Sequence, residues 1–365
     1  MQGVSPIMMY VYFFLFLCLY GLACYYVAFN GYRWLKRSFG FGYRRSYTII
    51  IVFLSVAFIA SFIVSSRLLE LIGGYWLTIV GYSLLLLPLV NLIYFLSGRK
   101  PLIHLLSGYI LSFCFLCILI IGSFNAWSPT IRHYDVSLTE EPTQEIRFLL
   151  GADFHFGTVI GMNHFERFLQ LVEQESPDAI FLAGDIIDDN MDAFIEEQIA
   201  DGFLQLDAPL GVYAVPGNHD YYGGDLSLLT QELRSNGVTV LLDEHIHVDG
   251  LFTVIGRKDE TDFDRKSIAE LMEHANEQLP IIMMDHQPHE TVEAATYNVD
   301  MIFSGHTHRG QLFPGNLLTQ AIYENDWGYK QIDQLHSFTT SGFGFWGPAL
   351  RIGSRSEIIM ITVKL

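Results

Sequence analysis

The chain has 365 residues, 51% of them hydrophobic, yet it carries a formal charge of −18. Those values do not fit one uniform soluble domain: residues 1–134 hold nine Lys/Arg and a single acid, Glu70, whereas residues 135–365 hold twelve bases and thirty-eight acids, a balance of −26. That acidity excludes non-specific nucleic-acid binding, and with Cys18, Cys24, Cys114 and Cys117 all in the apolar third, it leaves no disulfide framework for the acidic part.

Four apolar runs come first, near residues 8–29, 47–66, 74–97 and 102–124. Each is about 20 residues long, enough to cross ~30 Å of hydrocarbon as a helix. The first run has no basic residue ahead of it and exceeds the ~7–15 apolar residues of a cleavable signal. Residues 1–125 are therefore predicted to be four transmembrane helices, with Pro88 inside the third. Arg33, Lys36, Arg37, Arg44 and Arg45 lie between the first two runs, and Arg99 and Lys100 between the last two. Basic loops stay in the cytoplasm, so both ends of the four-span region are expected outside, and with them the acidic domain. Residues 126–144, with Trp127, Pro129 and Pro142, read as a juxtamembrane linker.

From residue 145 to 365, short apolar runs alternate with amphipathic stretches, the pattern of an α/β domain. Five of the apolar runs stop directly before polar residues. Ile146–Leu150 leads to Asp153-Phe154-His155, and Ala179–Leu182 to Gly184-Asp185-Ile186-Ile187-Asp188. Val212–Val215 leads to Gly217-Asn218-His219-Asp220, Ile281–Met284 to Asp285-His286-Gln287-Pro288, and Met301–Phe303 to Gly305-His306-Thr307-His308. Helices are predicted over 165–175, 191–206 and 226–235, with further strands at 238–242, 252–255 and 357–363. In such sheets a site forms outside the carboxyl ends of the strands, where the loops converge. Eight other histidines match no motif position; His164 and His289 lie nearest to the motifs in the chain.

These five segments, in this order, resemble the calcineurin-like metallophosphoesterase superfamily over about residues 145–364. The run Gly305-His306-Thr307-His308-Arg309-Gly310-Gln311 is most similar to bacterial membrane-anchored members such as YkuE and YaeI. The resemblance implies a four-layer α/β/β/α sandwich and a two-metal phosphoric ester hydrolase. Carried over position by position, it implies that Asp153, His155, Asp185 and His308 bind one metal. Asp185, Asn218, His286 and His306 would bind the other, with Asp185 bridging. Two divalent cations ~3.5–4 Å apart polarise the phosphoryl oxygens and acidify a water between them. A donor set of Asp, His and Asn without thiolate suits Mn, Fe or Zn. The resemblance further makes His219 the general acid, with Asp188 oriented toward it; a carboxylate partner raises and orients an imidazole. Three positions depart from the family pattern: Ala152 and Asp285 stand where it usually has Ser, and Arg309 where it often has Gly. Arg309 is either a contact for a substrate phosphate or a surface arginine.

The expected protein is an integral-membrane phosphoesterase acting on a phosphate ester or pyrophosphate, a small molecule or a lipid-linked envelope component, with no nucleic-acid partner. Two other readings stay open: a cytoplasm-facing hydrolase of a nucleotide-activated lipid precursor, and a membrane sensor or scaffold whose domain only binds.

Overall fold

The structure is a computed structural model that describes residues 6–273, 275 and 278–365, with side chains from Met8 onward; His274 lies outside these residues. It divides into two compact units, the first ending at Ile120 and the second comprising Ile121–Leu365.

Helices α1 (Pro6–Phe39), α2 (Arg44–Ser61), α3 (Arg67–Leu96) and α4 (Pro101–Trp127) are each long and apolar enough to cross a membrane. Only 6–11% of each apolar window is buried. Side chains this apolar facing outward over whole helices need hydrocarbon, and not water, as their solvent. Within the first unit α2 and α3 approach closely at Gly73, where a Cβ would stand 2.7 Å from the Phe58 Cα; small residues let membrane helices pack this way. The helices also overrun the apolar runs. Arg33, Lys36 and Arg37, expected in a loop, sit in the last turns of α1, and Arg67 and Glu70 in the first turn of α3. Lys and Arg are good helix formers whose long stems reach polar surroundings from a continuing helix.

The second unit continues with β1 (Thr130–Ser137), β2 (Glu145–Gly151), α5 (Met162–Glu175), β3 (Ala179–Ala183), α6 (Asp192–Glu196), α7 (Ile199–Gly202) and β4 (Val212–Val215). Next come α8 (Asn218–Tyr222), α9 (Leu226–Ser235), β5 (Val238–Val240), β6 (Glu244–Val248), β7 (Phe252–Gly256), α10 (Ile268–Met272) and β8 (Ile281–Met284). The chain ends with α11 (Thr291–Thr296), β9 (Met301–Ser304), α12 (Gly315–Ile322), β10 (Gly328–Ile332), β11 (Leu335–Thr339) and β12 (Glu357–Lys364). Two six-stranded mixed sheets result, in the orders β1-β12-β2-β3-β4-β5 and β10-β11-β9-β8-β7-β6.

Alternate residues of each strand enter a shared core, as the two-residue period of a strand requires. Phe148 and Leu150 of β2 and Phe181 of β3 meet Phe252, Val254, Met301 and Phe303 from the other sheet. The Phe148 ring lies 5.1 Å from Phe252, and Phe181 lies 4.9 Å from Phe303. The opposite face of the second sheet, including Ile255, Met283 and Ile302, packs on α10 and α11. On the outer face of the first sheet, Phe168 of α5 stacks edge-on to Phe154 at 5.0 Å. The layers are therefore α/β/β/α, as expected.

Two expectations change. The segment 126–144 is not a free linker: α4 runs to Trp127, and residues 130–137 form β1, paired in parallel with β12 from Thr130↔Glu357 to Ser137↔Lys364. Its exposed polar side chains hid a strand at the sheet edge, where one side of the backbone faces solvent. The predicted helix 191–206 is broken into α6, α7 and a 3-10 turn, because Gln198 adopts φ 53°, a left-handed conformation that ends an α-helix.

Candidate metal centre

Strands β2, β3, β4, β8 and β9 end on the same edge, and hydrogen bonds between their loops hold the motifs together. Asp153 N–H donates to Gly184 O at 2.9 Å, His155 N–H to Asp185 O at 3.1 Å, and Gly305 N–H to His286 O at 3.0 Å. Five of the seven predicted ligands have positive φ: Asp153 (53°), His155 (50°), Asp185 (52°), His306 (69°) and His308 (47°). Such backbone costs on the order of 1–3 kcal/mol per residue and persists where the surrounding structure over-determines it. Here it lets consecutive strand ends aim their side chains at one point. Gly184 is needed for the same reason: at φ 89°, any Cβ would lie 2.5 Å from His286 Nδ1.

The predicted ligands fall into two groups. Asp153, His155 and His308 bring one ligand atom each to within 4.8 Å of one another, as do Asp185, His286 and His306. Asp185 lies between them, with Oδ2 3.1 Å from His286 Nε2 and 3.8 Å from His155 Nε2, while Oδ1 accepts the His219 N–H at 2.8 Å. Asn218 Oδ1 is 2.9 Å from His306 Nδ1, so it joins the second group. The Asp153 carboxylate accepts the His306 N–H at 2.9 Å and lies 3.5 Å from His308 Nε2.

The electrostatics fit a bound cation beside Asp185. His286 Nδ1–H donates to Ala183 O at 2.7 Å. That bond leaves a lone pair on Nε2, which is buried without a hydrogen bond and faces the Asp185 carboxylate. Two acceptors so placed need a cation or an added proton between them. Burial pushes the His286 imidazolium down, but Asp185 reverses this and holds it well above its ordinary pKa. The same pairing holds Asp185 far below the carboxylate range despite its burial. Burial raises Asp153 to about 6. Burial and the neighbouring His286 lower His306 to about 3, and burial with Arg351 lowers His308 well below its usual range, so both rings are neutral, the form that ligates. All donors are nitrogen or oxygen, which suits divalent ions of intermediate hardness.

Around this centre the structure refines several expectations. His219 Nδ1 is 2.6 Å from Asp189 Oδ1 but 3.5 Å from Asp188 Oδ1. Asp188 Oδ1 instead also faces His155 Nδ1, at 3.6 Å. Nothing in the sequence separates two adjacent aspartates; the turn after Ile187 decides which one faces the imidazole. Asp220 bonds the N–H groups of Ile187 at 3.0 Å and Gly217 at 2.8 Å, tying two motif loops together. Burial and Asp185 raise it to about 7. Asp285 does not point at the centre; it accepts from the buried Arg257 at 2.7 Å and Arg265 at 2.5 Å. Arg309 stacks its guanidinium 3.6 Å from the Trp327 ring centroid. His164 packs edge-on to Trp127 and lies 3.2 Å from Phe343 O, and His289 pairs with Glu260. Arg351, fully buried, donates to Gly344 O at 2.6 Å and lies 3.0 Å from His308 Nδ1; nothing local in the sequence marked it. A cleft of about 570 Å³ opens over the centre, lined by Asp185, Asn218, His219 and His306 together with Gln311, Leu312 and Trp346.

The calcineurin-like phosphoesterase family profile matches residues 146–310. An uncharacterized metallophosphoesterase of Aquifex aeolicus is 32% identical over 243 residues, covering 64% of this chain and 91% of that protein. The Danio rerio transmembrane protein with metallophosphoesterase domain is 29% identical, covering 67% of this chain and 59% of its own length. The metallophosphoesterase YkuE of Bacillus subtilis is 26% identical, covering 58% of this chain and 77% of that protein. The motif-bearing strand ends and these relatives agree: the chain belongs to the calcineurin-like metallophosphoesterases, metal-dependent hydrolases of phosphate esters.

Proposed function

We propose that this membrane protein uses two divalent ions, held by Asp153, His155, Asp185 and His308 on one side and by Asp185, Asn218, His286 and His306 on the other, to hydrolyse a lipid-linked phosphate ester or pyrophosphate. The observation that carries the reading is Asp185, whose carboxylate lies between both donor groups. When bound, the ions neutralise phosphoryl charge and acidify a water. The chain's own residues do the rest. His219 lines the cleft with its Nδ1 held by Asp189, which leaves Nε2–H to donate a proton to the departing oxygen. Asp185 also receives the His219 backbone N–H, which couples the position of the acid to that of the bridging carboxylate.

The test is metal content and activity of purified variants. Asp185→Asn should lower occupancy of both sites, whereas His155→Ala should empty chiefly the first. Two ions retained per Asp185→Asn chain, with unchanged activity, would refute the assignment. The same reading places the catalytic unit outside the cytoplasmic membrane, supported by the basic residues at Arg33–Arg45 and Arg99–Lys100. Protease added to intact cells or spheroplasts should remove the domain, and complete protection would overturn this placement.

A further inference from the structure

In the second unit, α12 is built inside out. Leu317, Leu318, Ala321 and Ile322 form one stripe of the helix, and Leu317, Leu318 and Ile322 are 56%, 64% and 55% exposed. No residue of α12 is buried. The polar Asn316 and Thr319 are turned toward the protein instead, the Asn316 Oδ1 buried and the Thr319 hydroxyl donating to Asp326 at 2.8 Å. A helix on a water-facing surface buries its apolar stripe. Phe313, two residues before the helix, and Trp346, whose carbonyl accepts from Gln311 at 2.7 Å, are exposed as well.

The chain around this patch says what covers it. Residues 121–127 are the last turns of α4, a helix apolar enough to cross a membrane, and they fold within the second unit. Arg351 N–H donates to Gly122 O at 3.0 Å, and the Asn125 side chain donates to Arg351 O at 3.1 Å. Ile352, the next residue, accepts the Phe313 N–H at 2.7 Å. Phe345 packs edge-on to Trp127 at 4.9 Å, immediately before Trp346. The patch thus begins where the membrane helix ends, and that helix end itself exposes Ile121 and Phe124. On its other side the patch meets the cleft, since the Trp346 ring lies 5.8 Å from the His219 ring.

We propose that α12, Phe313 and Trp346 dip into the lipid interface, so that one wall of the cleft faces hydrocarbon and a phosphoester borne on a membrane lipid reaches the metal centre without leaving the bilayer. An apolar stripe of this kind inserts at the boundary of headgroups and acyl chains. The delivery of a lipid ester rests on the function proposed above; the insertion does not.

The test uses the full-length protein in phosphatidylcholine nanodiscs whose acyl chains carry a diazirine. After irradiation, peptides covering 313–322 and 346 should carry lipid adducts on the order of tenfold above those containing Leu204 and Phe263, exposed apolar residues elsewhere in the unit. Adducts confined to residues 1–127 would overturn the proposal. So would a protein–protein cross-link at α12 in place of lipid, which would mean that a second copy or another protein covers it. In a second arm, Leu317→Gln/Leu318→Gln should lower hydrolysis of phosphatidic acid or phosphatidylglycerol in nanodiscs about tenfold relative to a soluble nitrophenyl phosphate. Equal changes on both, or wild-type hydrolysis of the soluble ester alone, would refute delivery through this wall. Hydrolysis of none of these esters would count against the proposed function and leave the adduct map to judge the insertion.

Discussion

Replacing Asp189 by Asn removes the carboxylate nearest to His219 and leaves every proposed metal ligand in place. The bond concerned is 2.6 Å long, and the Asp189 side chain is 53% exposed. Hydrogen bonds to charged groups contribute ~1.5–3 kcal/mol. Solvent screening of a half-exposed carboxylate brings this to about 1 kcal/mol, or roughly fivefold in rate. The loss should depend on the leaving group, because an alkoxide needs the proton that His219 carries and an acidic nitrophenolate does not. His219→Ala should cost on the order of 10²–10⁴-fold on an alkyl phosphate ester and much less on a nitrophenyl ester. Asp189→Asn should follow the same slope more weakly, with normal metal content. Asp188→Asn should differ in kind. Its Oδ1 is 3.5 Å from His219 but also 3.6 Å from His155, so it should weaken retention of the first metal more than it alters the leaving-group slope. The assay is log(kcat/KM) against leaving-group pKa for wild type and the three variants, with metal analysis of each. Equal losses for Asp189→Asn across the series, or a steeper dependence for Asp188→Asn, would refute the reasoning.

Asp285→Ser, which restores the residue usual in the family, should destabilise the protein by about 3 kcal/mol, because Arg257 and Arg265 would lose their one fully buried carboxylate and keep only the partly exposed Glu290 and, for Arg265, Glu260 at 3.9 Å. The thermal midpoint in detergent should fall by several degrees, and an unchanged midpoint would show that the cluster is neutral to stability. Gly184→Ala should deplete the second metal, since the new Cβ would press on His286 and the left-handed backbone would be strained; metal analysis checks it, full occupancy being the contrary result. Burial holds the His164 imidazole below its ordinary value of 6.5, with Arg351 adding to the shift. Its folded pKa is depressed, so its contribution to stability is complete above about pH 6.5 and is lost as pH falls through the folded value. His164→Gln should therefore lose stability less steeply than wild type on acidification below that pH, and parallel curves would count against this.

What the sequence by itself determined here is local and chemical. Twenty-residue apolar runs marked four helices long enough to cross a membrane, because hydrocarbon thickness is a length, and the charge imbalance divides the chain because charged groups stay in water. Asp, His and Asn placed directly after strand-like runs marked the residues that the fold brings together in the candidate site, because strand ends converge there whatever the loops do. The tertiary structure alone decided matters that depend on direction and on distant partners. Asp189 rather than Asp188 meets His219 because of one turn's dihedral angles. Residues 130–137 become a strand only because β12, more than two hundred residues later, offers its edge. Asp285 meets two arginines of the β7–α10 loop, and α12 shows its leucines outward while Asn316 and Thr319 face the protein. Periodicity reports that a face is apolar; only the packed neighbours decide which way that face is turned.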